Sequence, residues 1–280
     1  MAIDLHTHSS VSDGTDTPRE LMLNAARAGL DVVALTDHDT TAGWAEAEAA
    51  VADSGVGLVR GTEISCTSEG ISVHLLSYLH DPHDEELARV FTRSRNFRHT
   101  RAHTMVARIN EVYPLTWEEV ARRARLGSTI GRPHIADALV ARGYVRDRTE
   151  AFENILSASG PFYVRYETPE VTRAVDLVVA AGGVPVVAHV RASARGRIIT
   201  DEKIADLVDH GLAGIEVDHR DHTEADRAHL RGLAGELGVF MTGSSDYHGT
   251  GKPNRLGENT TDPGVLAEIE ERGALDVIRP

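Results

Sequence analysis

Imidazoles and carboxylates collect at the ends of the predicted strands of this chain. His6 and His8 close the first apolar run, with Asp13 five residues on. Thr36-Asp37-His38-Asp39 closes the second run and Glu63 the third; His74 lies within the fourth, His189 closes the fifth, and Asp246 and His248 follow the seventh. These side chains are the donors that divalent metal ions take from proteins. The members of each pair, His6/His8 and Asp246/His248, are two residues apart, so on an extended backbone they point to one face about 6.5–7 Å apart. Both pairs can therefore serve one cluster. The nine candidates His6, His8, Asp13, His38, Glu63, His74, His189, Asp246 and His248 exceed the four ligands of a tetrahedral zinc, so two or three divalent metal ions are expected. Three such ions carry +6 against three carboxylates, leaving a local excess of about +3 that attracts phosphate. Such ions supply an attacking hydroxide and neutralise charge on a leaving oxygen. Taken singly the residues say less: a lone His-x-His suits structure as well as ligation, Asp13 in Ser-Asp-Gly suits a turn, and Glu63 or His74 suits a cap or a hydrogen-bonded core. The common position at strand ends is what points to a metal site.

The elements needed to bring them together are legible in the hydrophobic pattern. Short apolar strands are expected over Ala2–His6, Asp31–Leu35, Gly57–Glu63, Ser72–Leu76, Val184–Ala188, Gly214–Val217 and Val239–Gly243. Helical periodicity runs over Pro18–Ala28, Thr41–Ala52, Pro169–Ala181, Asp201–His210 and Thr223–Leu237, with Pro18 and Pro169 as first-turn prolines behind Thr17 and Thr168 caps. This alternation is that of βα units and a parallel sheet, and in a (β/α) barrel the loops after the strands converge on one mouth. The rhythm breaks once, after the fourth strand. Residues 101–168 are read as a helical cap inserted over the open end, leaving 1–100 and 169–280 as the barrel.

Composition excludes other classes. The chain has 280 residues, 41% apolar and 26% charged, enough for one large core. One cysteine, Cys66, permits no internal disulfide and reads as a small buried hydrophobe; with no leader-like start and no bilayer-length apolar run, a cytoplasmic chain without a membrane role is expected. The net charge of −14 argues against a stable DNA complex. It conceals an asymmetry: Arg89 to Arg148 holds thirteen arginines against five acids, net +8, leaving −22 elsewhere. That segment is suited to anions. His99 and His103, four apart among these arginines, read as a solvent or substrate surface; Glu216, Asp218, His219 and His222 read as a solvated loop.

The motifs DLHTHSSVSDG, ALTDHD, GTEIS, HLL at His74, VVAH at Val186 and GSSDYHG, in this order along nearly the whole chain, resemble the PHP (polymerase and histidinol phosphatase) family. The resemblance implies a distorted (β/α)7 barrel with an inserted helical cap and a trinuclear site of manganese, iron or zinc held by the nine residues named above. Within the family the chain is similar to stand-alone phosphoesterases that hydrolyse nucleoside 3′,5′-bisphosphates to 5′-monophosphates, some of which also trim short RNA from the 5′ end. It further implies that Arg132 and His134 of the GRPH segment bind the substrate phosphate and, with Asp13, join in catalysis. A guanidinium fork with an imidazole two residues on is a suitable phosphate clamp, although His134 beside Pro133 is equally a helix-start residue. Asp37 and Asp39 flank a ligand and are placed to orient a metal-bound imidazole or to cap. One departure is His189-Val190-Arg191, where many relatives have proline and glycine; Arg191 either adds a phosphate contact or faces solvent. The rival readings are a histidinol-phosphate-type phosphatase, an amidohydrolase-like enzyme and a non-enzymatic metal-binding module. Neither lysine, Lys203 or Lys252, lies at a predicted strand end, as a carboxylated lysine of an amidohydrolase would.

Overall fold

The computed structural model describes residues 1–125, 128–165 and 167–280, the Arg195 side chain apart; the expected cap thus includes three positions outside the described residues. Seven strands form one sheet in sequence order: β1 (Ile3–Thr7), β2 (Val32–Leu35), β3 (Gly57–Ser68), β4 (Ile71–Tyr78), β5 (Val184–Val187), β6 (Gly214–Asp218) and β7 (Phe240–Gly243). The sheet curls until its two edges approach. Thr7 bridges Tyr247 in parallel, and the His8 N–H donates to the Tyr247 carbonyl at 2.8 Å. This is the nearly closed α/β barrel expected.

One strand differs from a uniformly parallel arrangement. β4 runs antiparallel to both β3 and β5. The cause is local: Ser68 pairs with Ile71 across Glu69 and Gly70, which both have positive φ (49° and 75°), the backbone of a tight two-residue hairpin. The hairpin also lengthens β3 to 12 residues. Because β4 descends, its first half is what lies at the mouth, and there His74 stands opposite Ser65.

Helices cover the sheet from outside. α1 (Pro18–Arg27) starts with the expected Thr17 cap, in a capping box with Glu20. The region expected as one helix from Thr41 is two short ones, α2 (Trp44–Glu48) and α3 (Val51–Ser54). α4 (Glu85–Asn110), 26 residues and about 39 Å long, leads from the barrel wall into the segment expected as the cap. Leu87 and Phe91 near its start pack with β-strand residues Ile64 and Leu75, whereas Ala102, Met105 and Ile109 near its end share a separate apolar cluster with residues up to Leu156. That second cluster is completed by α5 (Trp117–Ala121), α6 (Arg132–Ala141) and α7 (Arg148–Asn154). The chain returns through α8 (Val171–Ala180), which begins two residues later than Pro169 suggested. The Pro169 carbonyl instead accepts the Thr67 N–H, and Glu170 stands at the cap position without a side-chain bond. α9 (Asp201–Asp209), α10 (Glu224–Leu237) and α11 (Pro263–Arg272) complete the shell, and among the described residues no helix is long and apolar enough to cross a membrane. Cys66 is buried in the main cluster, as expected.

His80 lies in this wall, fully buried between the rings of Trp44 and Phe91, its Nδ1 2.8 Å from Ser77 Oγ. Burial pulls its pKa down from 6.5 to about 4, against the pull of Asp81 and Asp84. The unfolded chain therefore takes up this proton at higher pH than the folded one, and stability falls as pH drops from 6.5 towards 4, by about 3 kcal/mol in all. His80→Leu is expected to flatten the dependence of Tm on pH across that window; Tm–pH curves running parallel in variant and wild type contradict this.

Candidate metal centre

His6 in β1 and His8 just beyond its end are directed into the mouth, where their Nε2 atoms lie 3.1 Å apart. Two imidazole nitrogens facing one another share a proton or address a common cation. Glu63, at the level where β3 passes the mouth, lies between them and three other rings. Its Oε2 is 3.2 Å from His6, 3.0 Å from His8 and 3.3 Å from His38 Nδ1; its Oε1 is 2.6 Å from His74 Nδ1 and 3.0 Å from His189 Nε2. Asp246 Oδ1 approaches His6, His8 and His248 at 3.6, 3.5 and 3.4 Å. Asp13 reaches His248 Nε2 at 3.3 Å and His8 and His38 at 3.7 Å. The donor atoms fall into three overlapping groups suited to cations: His8, Asp13, His38 and His248; His6, His8, Glu63 and Asp246; and His38, Glu63 and His74. All nine residues singled out in the sequence are thus in one place, His189 joining through Glu63.

The electrostatics follow from burial. Burial resists charging of His6, yet Glu63, Glu216 and Asp246 outweigh it and hold the ring well above its ordinary pKa. Glu63 and Asp13 are also buried, but the facing histidines keep both well below the usual carboxylate range. His38 and His248 go the other way, lowered chiefly by burial, His248 to about 4. His38 Nδ1 and His248 Nε2 are buried and, although each lies 3.3 Å from a carboxylate oxygen, neither is aligned to form a hydrogen bond with it, a costly arrangement for polar atoms and one that a cation between the donors relieves. The residues present therefore fit divalent metal ions.

A second layer of side chains fixes these donors, and part of it was not apparent in the sequence. Glu216 and His219, expected in a solvated loop, are fully buried, and His222 is nearly so. Glu216 Oε1 is 2.9 Å from His6 Nδ1 and its Oε2 accepts the His189 N–H at 2.7 Å; Ser244 also donates to it. β6 brings it inward because its neighbours Ile215 and Val217 face the helices. The only signal in the sequence was its alternation with those two apolar residues. Asp37 and Asp39 secure loops: Asp37 accepts from Ser9 N, Ser9 Oγ and Ser12 Oγ at 2.8, 2.6 and 2.6 Å, and Asp39 accepts from Ser65 N and Arg98 Nε at 2.9 and 3.0 Å. Lys252 Nζ, from the loop after β7, lies 3.0 Å from Asp246 Oδ2. Asp39, His189 and Asp246 have positive φ (53°, 30° and 53°), backbone strain located at the mouth. Arg191 is tied to Asp201 and lies 2.7 Å from His229 Nε2.

Part of the basic segment lies against the loop after β1, where the Thr129 N–H donates to the Val11 carbonyl at 3.4 Å. His134 is buried at the start of α6, where its Nδ1 accepts the Gly131 N–H at 3.1 Å, so the neutral ring carries its proton on Nε2. Burial lowers its pKa and favours that neutral form, while Asp13 lies near enough to act on its charge. Arg132 is held by its own segment: its guanidinium lies over the rings of Phe152 and Tyr163 at 5.2 and 5.8 Å and donates to the Leu156 carbonyl. His99 and His103 are exposed and flank Trp117, each ring 5.0 Å away.

Comparison with known proteins agrees with this geometry. Residues 4–157 match the model of the PHP domain family. The chain is 33% identical to a 3′,5′-nucleoside bisphosphate phosphatase of Chromobacterium violaceum over 280 residues, covering 99% of this chain and 98% of the relative. It is 33% identical to a phosphoribosyl 1,2-cyclic phosphate 1,2-diphosphodiesterase of Eggerthella lenta, covering 89% of this chain and 95% of the relative. A solved structure from Bifidobacterium adolescentis, to which metal-dependent phosphoesterase activity is provisionally attributed, superposes with a TM-score of 0.95 at 42% identity, covering 97% of this chain and 96% of that one.

Glu216 tests the second layer. Glu216→Gln keeps its shape but removes the charge facing His6, and metal affinity is expected to fall roughly 10–100-fold. Titration of the metal-depleted protein with Mn²⁺ measures this, and wild-type affinity in the variant contradicts it.

Proposed function

The chain belongs to the PHP domain family, and from that membership we propose that it hydrolyses phosphoester bonds, removing the 3′-phosphate of nucleoside 3′,5′-bisphosphates to leave 5′-monophosphates. The observation that carries this reading is three overlapping donor groups at a barrel mouth, facing His134 of an arginine-rich inserted region. On this reading the nine residues hold two or three divalent ions, the mixed nitrogen and oxygen donors suiting manganese, iron or zinc. Bound ions supply an activated water and neutralise charge on phosphate oxygens.

The chain's own groups do the rest. Residues 101–168 act as a cap over the barrel of 1–100 and 169–280, and α6 brings two phosphate-binding groups to the mouth. The neutral His134 offers its Nε2 proton to a phosphate oxygen, and Arg132, oriented by the faces of Phe152 and Tyr163, supplies positive charge beside it. Asp13, among the donors nearest the cap, links the two layers. A substrate with two phosphates spans them, one at the metal groups and one against the cap.

Phosphate release from adenosine 3′,5′-bisphosphate, adenosine 5′-monophosphate, histidinol phosphate and a 5′-phosphorylated oligonucleotide tests the reading. The bisphosphate is expected to be turned over with the highest kcat/KM; preference for histidinol phosphate, or no release from any of them with Mn²⁺ present, overturns it. Arg132→Ala is expected to lower bisphosphate turnover roughly a hundredfold while bound metal stays at the wild-type level. An unchanged rate removes the cap from the mechanism.

A further inference from the structure

We propose that Arg148 is the positioning residue that sets the spacing between cap and metal groups, and that it thereby determines affinity for a doubly phosphorylated substrate. The proposal rests on the function proposed above and extends it to a residue that touches no donor atom of the metal groups.

Arg148 is the first residue of α7 and is largely buried, its side chain 13% exposed. Its guanidinium grips Asp137 with both prongs, Nε to Oδ1 and Nη2 to Oδ2, each at 2.6 Å. Asp137 is on α6, one turn after His134, so the pair fixes the helix that presents the phosphate-binding groups. The third nitrogen leaves the cap: Nη1 reaches the Asp13 carbonyl at 3.4 Å. Gly251, in the loop after β7, closes the other side. A Cβ at that position would stand 2.1 Å from Nη1 and 2.7 Å from Cζ, so the guanidinium occupies the space a side chain would take. One planar group thus contacts α6, the loop after β1 and the loop after β7 together. Among the described residues one backbone hydrogen bond runs beside it between the same parts, from Thr129 N–H to the Val11 carbonyl at 3.4 Å.

A bidentate fork holds distance and angle together, which a lysine ammonium cannot do. Without it α6 samples positions displaced from Asp13, and substrate binding has to recover the competent one. The apparent dissociation constant then rises by the inverse of the competent fraction, whereas the saturated complex reacts as before. The predicted signature is a rise in KM at nearly constant kcat.

The test uses Arg148→Lys, which keeps the charge, and Gly251→Ala, which leaves the arginine but fills its space. With adenosine 3′,5′-bisphosphate, KM is expected to rise about tenfold in both variants, kcat to stay within about twofold, and Mn²⁺ content to match wild type. Amide hydrogen exchange at residues 9–14 and 131–137 is expected to quicken in both. Unchanged KM and exchange, or a loss of kcat or metal in proportion to the loss of kcat/KM, overturns the proposal. Wild-type protein that releases no phosphate from the bisphosphate refutes the underlying function instead, and the exchange measurement still decides whether Arg148 fixes the cap.

Discussion

Five imidazoles and three carboxylates withdrawn from water at one end of a barrel, with the half-buried His74 beside them, must neutralise one another or a cation, and this constraint organises the molecule. Glu63 expresses it most fully, with five histidine rings within 3.3 Å of its two oxygens. Such a cluster holds its geometry only if the backbone behind it is rigid. Every loop that carries a donor is accordingly tied to a buried carboxylate: the loop after β1 to Asp37, the β2–β3 segment to Asp39, the end of β5 to Glu216, and the loop after β7 to Asp4, whose oxygens accept the Ser245 and Gly257 N–H groups at 3.0 and 2.9 Å.

The fold serves the same end. Strands order the donors around a rim, and β4 contributes one although it runs against its neighbours, because the Glu69-Gly70 turn lifts the hairpin beyond the mouth before the chain descends. α4 then carries the chain back past the mouth, where Arg95 donates to the Asp39 carbonyl at 2.6 Å and Arg98 to its carboxylate. The excess of arginine in this segment is in part structural. Several of its guanidinium groups serve the fold: Arg95 and Arg98 hold the β2 loop, Arg101 and Arg108 donate to the Val164 and Tyr163 carbonyls, and Arg148 grips Asp137.

That these nine side chains gather was legible because histidine and acid at a strand end are rarely needed for packing, and a two-residue spacing on extended chain has one geometric meaning. The strands were legible as short apolar runs alternating with amphipathic helices. The direction of β4 was not, since a hairpin and a βα unit differ only at the turn, and Glu-Gly is a weak hairpin signal beside Asn-Gly. Glu216 was misjudged as solvated because a charged residue between apolar ones reads as facing solvent, whereas in a barrel with a polar mouth the inward face is the polar one; His219 and His222 were misjudged because their neighbours Asp218, Arg220 and Asp221 read as a solvated loop. Arg148 was invisible for a different reason: its partners Asp137, Asp13 and Gly251 are brought together by tertiary structure alone.

Anomalous diffraction from crystals grown with Mn²⁺ tests the central claim most directly. Two or three peaks are predicted, each within a donor group shared among His6, His8, Asp13, His38, Glu63, His74, His189, Asp246 and His248. Manganese bound elsewhere with these groups empty, or a single ion with the remaining histidines paired only to carboxylates, would contradict the account.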